Sequence, residues 1–159
     1  MKRLVIMFFM TLLATSPAHA DVLANQVAAE AKRLLAQIVS LEAAAKTRPG
    51  ARPQPLAPTL SSDLQRFGLA ASRLSVDIDR RGGPADLRCI FRGMSDETGK
   101  QLASASTAMT NADQARALAR LSHMLKDAIE IAPAVGGGGK ATAASSVRAA
   151  AAQCPAVDF

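Results

Sequence analysis

The chain has 159 residues, and its 19 Lys and Arg against 13 Asp and Glu give a formal net charge of +6, a size and balance that suit one modest domain. Trp and Tyr are absent and Phe occurs five times, which leaves little to stack sugars, bases or quaternary ammonium groups. Two His and two Cys make the inventory of catalytic side chains equally thin.

Residues 1–20 read as a secretory signal peptide. Lys2 and Arg3 form a positive start, Leu4 to Leu13 is apolar but for Thr11, and Ala18-His19-Ala20 places small residues at −3 and −1 before Asp21. The apolar run is about half of the roughly 20 residues that a membrane span needs, which argues against an uncleaved anchor. No Cys follows the cleavage site to accept a lipid, and Lys2-Arg3 is not a twin-arginine pair. Cleavage after Ala20 leaves residues 21–159 as a single domain, and the loss of Lys2 and Arg3 lowers its charge to +4. The short signal and the Ala-rich composition point to the bacterial periplasm or exterior, with no stable membrane insertion after cleavage.

From Val22 to Thr47 the positions Val27, Ala31, Leu34, Ile38, Leu41 and Ala45 recur at alternating steps of four and three, the stripe of an amphipathic helix. A Pro-rich linker follows at 48–59, where Pro49, Pro53, Pro55 and Pro58 favour an extended form. Its 12 residues reach roughly 37 Å and the first helix is about 39 Å long. A second helix could therefore run antiparallel after a slack loop or parallel after a taut one. That helix is expected to open at Thr59 or Ser61 and to end before Gly82-Gly83-Pro84, with Leu60, Leu64, Phe67, Ala71, Leu74 and Ile78 as its stripe.

Pro84 is expected as an early residue of a third helix, with Leu87, Ile90, Phe91, Met94, Leu102 and Ala105 inward. Gly93 and Gly99 each weaken it by roughly 1 kcal/mol relative to Ala, so a bend or break near Ser95 is predicted. Asn111 reads as the cap of a fourth helix striped by Ala115, Leu118, Leu121, Leu125, Ala128, Ile129 and Ala132, ended by Pro133 and the Gly-rich joint at 133–140. A short fifth helix is predicted from Ala141 to Gln153. The fold class is therefore all-α: a small bundle of four main helices plus a short C-terminal one. Many of the stripe residues are Ala, so the helices can approach closely as a slender bundle or assemble as an oligomeric coiled coil.

Cys89 and Cys154 form an even pair in an exported chain and are predicted to be joined by a disulfide. His123 lies one turn before Asp127, so the carboxylate could orient the imidazole. No nucleophile motif such as G-x-S-x-G accompanies them, and a surface histidine is the simpler reading. Met94, Met109 and Met124 lie 15 apart, a spacing that suits core filling better than metal ligation, although His123 beside Met124 would be a soft pair for copper. Neither cysteine begins a C-x-x-C-H haem motif, and the two are too far apart in sequence for a redox dithiol of that kind.

The basic residues give the one positive lead. Arg80, Arg81, Arg88 and Arg92 flank the Gly82-Gly83-Pro84 turn and could grip phosphate or carboxylate; alternatively they complement helix ends, with Arg92 paired to Asp96. Lys46, Arg48 and Arg52 form a second such zone. Nucleic acid is an unsuitable partner for an exported, mildly basic chain. Pro55 to Pro58 has P-x-x-P spacing, as any Pro-rich linker can, and Phe159 follows no strand pattern that would make it a membrane-strand terminus. No cofactor or metal is expected. The function expected is non-enzymatic: an exported helical interaction protein of the cell envelope, with a protein partner or self-association through helix faces. The alternative is a periplasmic small-ligand or anion-binding protein using the arginine cluster. Salt separates the two, because screening weakens a charge-driven contact and leaves an apolar one.

Overall fold

Proline decides where the second helix begins. In the computed structural model, which describes residues 18–136 and Cys154, the helices are α1 (Ala18–Lys46), α2 (Pro58–Arg80), α3 (Ala85–Thr107) and α4 (Asn111–Gly136). Pro58 opens α2, where its fixed φ suits the first helical position and its missing N–H is no loss. The Ala57 carbonyl accepts the first bond, from Ser61 N–H at 3.0 Å. The cap predicted at Thr59 or Ser61 is thus corrected to Ala57, whose methyl group offers no hydrogen bond to the first amides.

The other end of α2 closes as its glycines suggest. Gly82 takes φ +66; its N–H donates to Asp79 O at 3.0 Å, and Gly83 N–H donates to Ile78 O at 2.9 Å. Together these form the two-bond left-handed closure of a helix end. Pro84 sits one position before α3 as its cap rather than inside it. α3 then runs unbroken through Gly93 and Gly99, so the predicted interruption at Ser95 does not occur. Burial of Phe91, Met94, Thr98 and Leu102 outweighs two glycine penalties of roughly 1 kcal/mol each.

α4 is capped by Thr110. Its Oγ1 accepts from Asp113 N–H at 3.2 Å and donates to the Asp113 carboxylate at 2.7 Å, a reciprocal arrangement across a T-x-x-D spacing. Asn111, the predicted cap, instead donates its side-chain amide to Arg48 O at 2.9 Å. Pro133 does not end the helix, which continues to Gly136. So near the C-terminus its ring forfeits one helical bond, while Ala132 is buried and Val135 packs on the core to hold the last turn.

Hydrogen bonds at the helix ends fix the topology. Ser75 Oγ donates to Arg88 O at 2.9 Å, so α2 and α3 form an antiparallel hairpin. Gln114 Nε2 donates to Ala105 O at 3.3 Å, so α3 and α4 form another. Asn111 N–H and Ala112 N–H donate at 2.9 Å to Ala51 O and Pro49 O, which brings the start of α4 to the end of α1. Gln114 also holds Gln54 O at 2.8 Å, drawing the Pro-rich linker across this same end. α2 therefore descends beside α1 after a slack loop, giving an up-down-up-down bundle in which α1 packs on α4 and α2, and α3 on α2 and α4.

The core lies along the axis and follows the four stripes. Val27, Ala31, Leu34 and Ile38 of α1 meet Leu64, Phe67, Ala71, Leu74 and Ile78 of α2, Phe91 and Met94 of α3, and Leu118, Leu121 and Leu125 of α4. Leu41, Leu87, Ile90 and Ile129 are only partly buried at its margins. Cys89 and Cys154 are disulfide-bonded with Cα atoms 5.1 Å apart. The predicted helix at Ala141 to Gln153 and residues 1–17 lie outside the described residues.

Candidate functional site

His123 projects from the outer face of α4 and is exposed, whereas Met124 next to it is fully buried. The Met124 sulfur lies 3.6 Å from Thr98 Oγ1 inside the bundle, so the two neighbours point apart and do not form a soft-ligand pair. Met94 is buried as well, but Met109 is 82% exposed in the α3–α4 turn. Core filling therefore describes Met94 and Met124 and not Met109. Among the described residues no group of three or more His, Cys, Asp or Glu is placed to hold a metal ion.

Two of the four arginines of the predicted cluster are engaged by neighbouring carboxylates. Arg81 Nε donates to Asp77 Oδ2 at 3.0 Å and Arg88 reaches Asp79 Oδ1 at 2.6 Å, both anchoring to the last turns of α2. Arg80 and Arg92 are exposed and form no ion pair among the described residues, so Arg92 does not take up Asp96. An arginine fork already engaged by a carboxylate has less to offer an external anion.

The second basic zone has an equally local explanation. Lys46 pairs with Glu42 at 2.5 Å, and the first amides of α4, the usual anion receptor at a helix start, donate to Ala51 O, Pro49 O, Thr110 Oγ1 and Thr110 O. A cavity of about 190 Å³ lies between Leu41, Arg48, Arg52, Gln54 and Asn111, but its amide donors are spent. The P-x-x-P segment shares this fate: Pro58 is helical, Leu56 packs on the core and Gln54 is strapped to α4.

Thr98, Glu97 and Asp63 tie the helices together through their polar groups. Thr98 Oγ1 donates to Met94 O at 2.6 Å. Glu97 accepts from Gln101 at 2.8 Å, with Lys100 and Arg120 at 3.7 and 3.8 Å. Between α1 and α2, Arg33 and Arg66 converge on Asp63. The hydrogen bond from Arg33, helped by the Arg33 and Arg66 charges and opposed by desolvation, holds the Asp63 carboxyl below the usual carboxylate range. The same bond raises the Arg33 guanidinium above its ordinary value.

Tracing only the inward stripe misses what α2 shows to solvent. Leu69 is 60% and Val76 is 46% exposed. They stand seven residues apart on the face opposite the core, and with Ser72 and Arg73 between them they lack the alternating steps of four and three that marked the core. Comparison with protein-family models, curated proteins and solved structures finds no match, so function must be read from these residues themselves.

Proposed function

We propose that this chain is an exported, non-enzymatic helical interaction protein of the cell envelope, working through the outer faces of its bundle. The observation that carries the reading is that two of the large apolar residues left exposed, Leu69 and Val76, share one line along a helix whose inner face is already filled by the core. Two features support export. Ala24 and Val27, the start of the α1 core stripe, lie beyond the predicted scissile bond, so cleavage leaves that stripe whole, and Cys89 and Cys154 are joined in a disulfide.

Two measurements test this. N-terminal sequencing of the protein recovered from the producing cell should read Asp-Val-Leu from Asp21, in the periplasmic or secreted fraction; an intact Met1 in the cytoplasm would refute export. Tagged protein incubated with the envelope fraction should retain a saturable protein partner, and retention of none would refute the interaction reading.

A further inference from the structure

The solvent face of α2 is organised in three rows. Ser62, Leu69 and Val76 form the midline; Arg66, Arg73 and Arg80 run along the side toward α1; Gln65, Ser72 and Asp79 run along the side toward α3. Each row repeats every seven residues, close to two helical turns, so all three lie nearly parallel to the axis. With one position per heptad the row is half of a coiled-coil seam, which alternates steps of three and four, and it carries a basic edge. Arg66 is engaged by Asp63, while among the described residues Arg73 and Arg80 form no ion pair.

The ground beside Leu69 is also open. A shallow groove of about 340 Å³ runs between α2 and α3, lined by Gln65, Gly68, Leu69, Ser95 and Gly99 among others. A Cβ built on Gly99 would meet nothing within 4 Å. The bundle thus gives no packing reason for a residue that costs roughly 1 kcal/mol in a helix interior, and a side chain there would narrow the groove.

We propose that this face docks an amphipathic helix of a partner protein, one whose apolar seam is flanked by carboxylates at heptad spacing. This rests on the interaction reading above and names its surface and partner class. Leu69 and Val76 supply the seam, the groove over Gly99 receives a partner side chain, and Arg73 and Arg80 meet the acidic row. A second copy of the chain fits poorly. Antiparallel α2 helices would set the arginine rows against each other, and parallel ones would offer those arginines only Asp79. A lipid surface fits poorly too, because the seam is one residue wide with Asp79 on its rim, where an interfacial helix needs a broad apolar face.

The test uses the full chain and two synthetic helical peptides of about three heptads with the same Leu/Val seam, one flanked by Glu and the other by Lys. At roughly physiological salt, the Glu peptide should bind at least about tenfold more tightly than the Lys peptide. Leu69→Asp and Gly99→Gln should each weaken Glu-peptide binding by about tenfold or more. Arg73→Glu with Arg80→Glu should reverse the preference toward the Lys peptide, and Lys126→Glu on α4 should change nothing. All four variants lie at exposed positions, and circular dichroism checks that each keeps its fold.

Equal binding of both peptides, or equal weakening by Lys126→Glu, would overturn the proposal. So would binding of phosphatidylglycerol vesicles that Leu69→Asp abolishes, or self-association that it abolishes. An envelope partner retained undiminished by Leu69→Asp would remove α2 as the surface and leave the interaction reading standing. Failure to retain any envelope partner would remove that reading itself.

Discussion

Asp63 shows how a single side chain ties two helices and leaves a titratable signature. Its carboxyl is held below the usual range by the Arg33 hydrogen bond, so its contribution to stability is complete above the unfolded value near 4 and fades as pH falls through the lower folded value. NMR titration should find Asp63 among the most acidic carboxyls, and Arg33→Ala should move it back toward the ordinary value. A second prediction concerns Gly82, at φ +66. Gly82→Ala should lower stability by about 1–2 kcal/mol, seen as a reduced urea midpoint at constant m-value. Gly50→Ala, where φ is not positive and nothing lies within 4 Å of the added methyl, is the matched neutral change.

At the scale of the elements, the helix interiors were legible and the ends were less so. Leu60, Leu64, Phe67, Ala71, Leu74 and Ile78 are all buried because a stripe must face the only apolar surroundings available. An end is decided by competition among neighbours: Pro58 outcompetes the hydroxyls of Thr59 and Ser61 for the start of α2, and Thr110 outcompetes Asn111 because Asn111 is drawn to Arg48 O. The T-x-x-D spacing at Thr110 was a usable signal for that cap. The direction of α2 was not legible, because it depends on tertiary bonds from Asn111 and Gln114 that fold the linker back. Of the site residues, Cys89 and Cys154 could be paired from their number alone, whereas the engagement of Arg81 and Arg88 with Asp77 and Asp79 depends on how the α2–α3 turn packs. Thr110→Ala should destabilise the bundle by about 1 kcal/mol, measured by thermal or urea unfolding.

The whole molecule is held by one continuous core and one covalent staple. Leu74 is wholly buried, and Leu74→Asp places an unpaired charge there, so the far-UV helix signal and the cooperative melt should both be lost. The Cys89–Cys154 bond spans 65 residues of sequence, for which chain entropy predicts roughly 4 kcal/mol. A non-reducing peptide map should recover the linked pair, and reduction should lower the melting temperature. On the proposed reading the bundle works through its outer faces, and its activity is expected to follow surface residues rather than reactive ones.

Two exposed positions set that expectation against its opposite. Retention of the envelope partner by His123→Ala and by Leu69→Asp, each shown by circular dichroism to be folded, should be unchanged in the first and lost in the second. Loss with His123→Ala and full retention with Leu69→Asp would contradict the account.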